Sequence, residues 1–231
     1  MITDLSHASG SAQRHAVILC HPDPTSFNRA IADTYSNVVR KMGHTIVARD
    51  LYAMKFDPVL KANERPTIEG FQISDDVREE IELLTGCDVF VFVYPIWFGT
   101  PPALLKGYIE RVFGAGINPK DVQERAHKSF LANKRLVSFT TSATSEPWLN
   151  EQGQWQSLRY LFDHYLTHAF GMKPDEHLHF GNVTSGMPKL WGGRHLYEVE
   201  QQARRTCATV LAERHQAESA EARLRASAAS A

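Results

Sequence analysis

Asp88-Val89-Phe90-Val91-Phe92-Val93-Tyr94 (DVFVFVY) is the stretch on which the fold of this chain turns. An unbroken run of valines and aromatics suits a strand buried on both faces, which requires a sheet covered by helices on both sides. The residues after it agree. Pro101 and Pro102 open a helix at its first turn, where a missing N–H costs least. Leu104, Leu105, Tyr108, Ile109, Val112 and Phe113 then form a broad apolar stripe along it.

Toward the N-terminus, Ala16–Cys20 (AVILC) is a second buried-strand run, ended by turn residues and a helix cap at Ser26. Ile31, Tyr35, Val38, Val39 and Met42 recur at helical spacing, and Gly43 supplies the stop. Thr45–Ala48 is a short strand, and Ser74–Leu84 a helix with Val77, Ile81 and Leu84 on one face. Toward the C-terminus, Arg135–Phe139 is a fourth strand, Gln154–Phe170 a helix and His177–Val183 a fifth strand. A final helix starts near His195. Residues 1–14 read as a flexible leader, 15–216 as one domain, and 217–231 as a low-complexity tail with little to bury.

Strands alternating with helices give an α/β protein with a parallel sheet. Five strands favour the flavodoxin-like three-layer sandwich in order 2-1-3-4-5. A ligand then sits beyond the carboxyl ends of strands one, three and four, so the loops after Cys20, Val93 and Phe139 matter most.

Composition narrows the function. A chain of 231 residues with a net charge of −1 has no strong pull toward nucleic acid or an anionic membrane. The longest nearly apolar run, Val89 to Phe98, is about half the roughly 20 residues of a membrane span. Three cysteines in no pairing pattern read as small core residues in a cytoplasmic protein.

The first loop, His21 to Asn28, combines a helix N-terminus with Thr25, Ser26, Asn28 and His21, donors suited to a phosphate. It is neither GxxxxGK[ST] nor GxGxxG. The plain alternative is a β–turn–α connection capped by Ser26. The second loop, Tyr94 to Pro102, carries Trp97 and Phe98 beside prolines and a glycine. Such aromatics call for a cover: a planar cofactor edge, a stacking substrate or a second subunit. The amides of Ile96 to Phe98 are positioned to meet the polar edge of a flat ring. The third loop, Thr140 to Ser145, is small and hydroxyl-rich, which lets backbone approach such a ring closely.

AVILCHPDPTSFN, DVFVFVYPIWFGTPPALLKGYIERVFGAG and SFTTSATS resemble the flavodoxin-like NAD(P)H:quinone oxidoreductases, the diaphorases and drug-activity modulators, over roughly Ala16 to Val183. That resemblance implies a flavin, FAD or FMN with a lean toward FAD, and NAD(P)H as co-substrate. His21, Thr25, Ser26, Phe27 and Asn28 would hold flavin phosphate and ribityl. Pro95, Ile96, Trp97 and Phe98 would border the isoalloxazine, and Thr140, Thr141, Ser142 and Ala143 its pyrimidine side. Trp97, Phe98 and Trp148 would wall a pocket for a quinone-like acceptor, reduced by ping-pong hydride transfer. A homodimer is implied as well. The family's proton-handling tyrosine and histidine have no counterpart; Trp148 and Trp155 occupy that stretch, and no catalytic acid or base is assigned.

Two other flavin-binding roles compete: an electron carrier and a regulatory subunit of a membrane transporter. A carrier would show a strongly charged docking face, and the charge balance gives no sign of one. His164 with His168, and His177 with His179, share faces, but no H-E-x-x-H or carboxylate set accompanies them. No metal is expected.

Overall fold

The computed structural model describes residues 12–124 and 129–229. Among these, strands β1 (Arg14–Leu19), β2 (Thr45–Asp50), β3 (Val89–Pro95), β4 (Arg135–Thr141) and β5 (Lys173–Phe180) form one all-parallel sheet in the order β2-β1-β3-β4-β5. This is the flavodoxin-like arrangement expected from the strand count. Of the leader expected over residues 1–14, residues 1–11 lie outside the described residues, while Gln13 is buried and Arg14 begins β1.

Side chains alternate across each central strand, so each helical layer receives its own set. Val17 and Leu19 of β1, Val89, Val91 and Val93 of β3, and Val137 and Phe139 of β4 share one face. That face is covered by α1 (Phe27–Lys41) and by α8 (Lys189–Ala229) through Val199, Ala203, Cys207 and Val210. Ala16, Ile18, Phe90, Phe92, Tyr94 and Leu136 point the other way. There they meet α2 (Asp75–Leu84), α3 (Ala103–Tyr108) and a broken helix, α6 (Gln154–Leu158) and α7 (Tyr165–Phe170). A wide π-turn, Arg159–His164, joins α6 to α7; another, Ile109–Phe113, extends α3. The short helices α4 (Pro119–Gln123) and α5 (Glu146–Glu151) lie in connections.

Several boundaries differ from those expected, and three of them bear on the site or the chain's end. β5 occupies Lys173–Phe180 instead of His177–Val183, because as an edge strand bonded only to β4 it tolerates Pro174, Asp175 and Glu176. α8 begins at Lys189, ahead of His195, and remains helical to Ala229 although residues 215–228 are exposed. β4 runs on through Thr140 and Thr141, so both belong to the strand and not to the loop after it.

The segment 51–74 joins β2 to α2 and is fastened by a buried charge. The Arg111 side chain, fully shielded, donates to Glu64 at 2.6 Å, to Asp76 at 2.8 Å and to the Asp57 carbonyl at 2.7 Å. Burial alone would raise the Glu64 carboxyl, but hydrogen bonds from Arg111, the Lys61 amide and Ser74 bring it down to about 2. Gly107 of α3 lies against Pro58, where a Cβ would stand 2.3 Å from the Pro58 carbonyl oxygen.

Candidate functional site

All three expected loops emerge at the carboxyl edge of the sheet, and a set of short hydrogen bonds stitches them together. Asn28, buried at the start of α1, donates from Nδ2 to the Thr141 hydroxyl at 2.9 Å. The Ile96 amide donates to the Thr141 carbonyl at 2.7 Å, and the Ser142 amide to the Phe180 carbonyl at 3.0 Å. Beyond β5, Asn182 and Val183 donate to the carbonyls of Thr144 and Ser142.

In the first loop, Asp23 takes both the amide and the hydroxyl of Thr25, at 2.8 and 2.7 Å. These donors hold the turn, so Thr25 is a structural residue of the cradle. The Asp23 amide donates to His21 Nδ1 at 3.0 Å. The same nitrogen lies 3.3 Å from the Asp23 carbonyl, so His21 Nδ1 is held within the turn whichever of its ring nitrogens carries the proton. The His21 ring meets Trp97, with centroids 5.7 Å apart, and so couples the first loop to the second. Ser26 caps α1 by accepting from the Arg29 amide at 3.2 Å. The amides of Phe27 and Asn28 face outward from the helix start without a partner among the described residues. The Phe27 ring turns into the fold, against Phe180 and His195.

The second loop is a two-residue reversal. Trp97 and Thr100 exchange backbone hydrogen bonds of 2.9 and 3.1 Å around Phe98 and Gly99, whose φ angles are +51° and +78°. Of the three amides expected to meet a ring, Ile96 and Trp97 are therefore engaged within the protein. Phe98 has no such partner among the described residues. Pro95, in β3, is buried, and the Phe98 side chain is wholly exposed at 107%. A left-handed aromatic with nothing to pack against is a strained arrangement of the kind that gathers at ligand sites.

Ile96, Phe98, Gly99, Ser142, Ala143 and Trp148 line a cavity of about 240 Å³ between the second and third loops. Thr144, Leu149 and Gln154 complete its wall. The amides of Ala143 and Thr144 have no acceptor among the described residues.

Thr140 is fully buried and does not face this cavity. Its hydroxyl lies 2.9 Å from His177 Nε2 and 2.9 Å from His179 Nδ1 on the neighbouring strand. His179 Nε2 continues to Ser142 Oγ at 3.0 Å, and His177 Nδ1 meets Asp163 Oδ2 at 2.5 Å. The Trp155 ring lies against both imidazoles, 4.8 and 5.0 Å from their centroids. Burial, and then the neighbouring His177, lower His179 to about 4 and keep it neutral. Asp163 and the two histidines are additions to the expected site, and Trp155 lies in the stretch where the resemblance implies a tyrosine and a histidine. The period-2 polar row Ser138, Thr140, Ser142 in an otherwise buried strand is the signal that leads to them.

A cluster of three or more metal-binding side chains is absent among the described residues, and no helix there is long and apolar enough to cross a membrane.

A family described as having a flavodoxin-like fold matches residues 13–191. A Haemophilus influenzae protein named "Uncharacterized NAD(P)H oxidoreductase" is 31% identical over 170 residues, covering 73% of this chain and 84% of the relative. Rat NAD(P)H dehydrogenase [quinone] 1 is 32% identical over 152 residues, covering 58% of this chain and 55% of its own length. The chain thus spans about half of the rat protein. Among solved structures, the NAD(P)H:quinone oxidoreductase from Methanothermobacter marburgensis superposes with a TM-score of 0.73 at 22% identity. That superposition covers 85% of this chain and 96% of the other.

Proposed function

Since the chain belongs to the flavodoxin-like fold family, we propose that it is a flavin-dependent NAD(P)H dehydrogenase that reduces quinones or related acceptors. One observation carries this reading: the first two loops bond to Thr141 at the end of β4, where the third loop begins, and the three leave a row of unengaged donors along a single sheet edge.

The residues fit a flavin. A buried Asn28 Oδ1 without a partner calls for a donor from outside, such as a ribityl hydroxyl. The amides of Phe27 and Asn28 at the positive end of a 15-residue helix, with the His21 ring, would hold a phosphate. The amides of Phe98, Ala143 and Thr144 would serve the ring's polar edge. When bound, a flavin supplies acceptance of a hydride from the nicotinamide and its donation to a quinone. The protein's share is placement and shielding: Trp97, Phe98 and Trp148 wall the space for a flat substrate and keep water from it. FAD and FMN both suit this cradle, and the lean toward FAD rests on the resemblance of its loops.

A second copy of the chain covering Phe98, Trp97 and Trp148 would complete the pocket as a homodimer. Three buried free thiols support a cytoplasmic setting. The test is direct. Purified protein should be yellow and should oxidise NADH or NADPH when a quinone is present; extraction then identifies the flavin. Protein that is colourless and stays so after FAD and FMN are added would sink the reading.

A further inference from the structure

The polar column beneath the third loop has one self-consistent arrangement of protons. Ser142 Oγ lies 2.7 Å from the Thr144 carbonyl, which only accepts, so Ser142 donates there. The Ser142 oxygen must then accept from His179 Nε2–H. A neutral His179 has an accepting Nδ1, so Thr140 donates to it. The Thr140 oxygen in turn accepts from His177 Nε2–H, and a further proton lies between His177 Nδ1 and Asp163. The donors of His177, Thr140 and His179 point along the column toward Ser142, which lines the first cavity and whose own hydroxyl rests on the Thr144 carbonyl.

The other end is open. Asp163 borders a second cavity of about 590 Å³, together with Arg159, Tyr160, His164, Thr167 and Asp175. Between the two cavities the column is shielded: His177 is buried, Thr140 is fully buried, and Trp155 covers both rings.

We propose that Asp163, His177, Thr140, His179 and Ser142 form a proton relay that carries protons from this second cavity to the floor of the flavin site. The inference rests on the function proposed above. Reducing a quinone to a hydroquinone takes one hydride, from NAD(P)H, and one proton, and the relay supplies the proton. Ser142 turns its hydroxyl from the Thr144 carbonyl toward the site, gives that proton to an acceptor there and takes the Nε2 proton of His179. His179 Nδ1 takes the proton of Thr140, and Thr140 takes the Nε2 proton of His177. His177 keeps the proton it shares with Asp163. One proton has crossed, and every O–H and N–H broken has been replaced. A proton entering at Asp163 restores the start once the hydroxyls and rings reset.

Ser142 is the group that touches the reacting atom; the other four are positioning residues acting through it. The charged and titratable neighbours are few. Arg159 Nε stands 3.9 Å from Asp163 Oδ2, and Asp175 borders the same cavity, paired with Arg135. Tyr94, opposite Thr140 on β3, carries a buried hydroxyl without a partner among the described residues. Burial, and then the charge of Asp163, keep that phenol protonated. Ser138 Oγ approaches Asp163 at 3.5 Å.

Two measurements decide the proposal. Nitrogen-15 NMR of the full chain as purified, at neutral pH, reads the column whether or not flavin is bound, with His177→Gln and His179→Gln assigning the signals. The relay requires the proton of His179 on Nε2; finding it on Nδ1 overturns the relay. In the flavin-loaded enzyme, Thr140→Val should cut kcat for quinone reduction on the order of 100-fold with KM and flavin affinity unchanged. Thr140→Ser, which restores the hydroxyl, should recover it. Normal turnover by Thr140→Val overturns the relay, and so does loss of flavin binding in that variant alone, which would make Thr140 structural. Wild-type protein that binds no flavin overturns the proposed function instead, and the NMR result then decides the relay alone.

Discussion

Phe98→Asn should make the protein more stable and less active. The Phe98–Gly99 reversal has positive φ at both central residues and reciprocal backbone hydrogen bonds, the pattern of a type I′ hairpin turn. Such turns favour Asn-Gly, because asparagine tolerates the left-handed region and a bulky side chain does not. The left-handed conformation costs an ordinary residue about 1–2 kcal/mol, and asparagine relieves much of this. The Phe98 side chain is wholly exposed, so its removal forfeits no packing inside the subunit. The expected gain is about 1 kcal/mol, or about 2–4 °C in Tm for a domain of this size. Thermal unfolding of protein stripped of flavin measures it free of any ligand contribution, and quinone reduction by the reloaded enzyme should fall as the pocket loses a wall. A variant that melts at or below wild type refutes the strain assignment. Unchanged quinone reduction refutes the wall.

Gly107→Ala should destabilise the fold by about 1–3 kcal/mol, because its Cβ would fall 2.3 Å from the Pro58 carbonyl oxygen and push the 51–74 segment off α3; the urea midpoint reports it. Arg111→Met leaves Glu64 and Asp76 without their shared cation and should cost about 3–5 kcal/mol by the same measurement. His15 is lowered from 6.5 to about 4, by burial first and by His44 second. Between those values the unfolded chain binds a proton that the folded chain refuses, so stability is full above pH 6.5 and falls as pH drops toward 4. This one group accounts for roughly 3 kcal/mol of that loss. His15→Gln should flatten the plot of urea midpoint against pH over this interval, and an unaltered slope would assign the acid sensitivity to other groups.

The strands that position the site announce themselves because they are buried on both faces: AVILC and DVFVFVY leave little alternative. β5 is harder to place, since an edge strand tolerates Lys173-Pro174-Asp175-Glu176, and only its last residues carry the pattern. The loops were legible as a set, and their positions at the sheet edge follow from strand order. Their hydrogen-bond assignments were not. The Ile96 amide goes to Thr141 and the Thr25 donors go to Asp23, partnerships that depend on distances a linear pattern does not hold. The relay was concealed for a related reason. His177 and His179 share a strand face in any reading, but Asp163 reaches His177 from a π-turn, whose extra residue per turn departs from helical spacing.

The bonds that converge on Thr141 to Thr144 also bear on how this chain can be altered by exchange with its relatives. The first loop reaches that segment through a side chain, the second through an amide, and the turn after β5 through two more. A loop imported singly would arrive with donors and acceptors shaped for other neighbours, so its effect would depend on which of the rest came with it. The heritable unit here is the whole knot. Grafts that move the loops after β1, β3, β4 and β5 together should keep their foreign specificity, where piecemeal exchange would yield neither parent's.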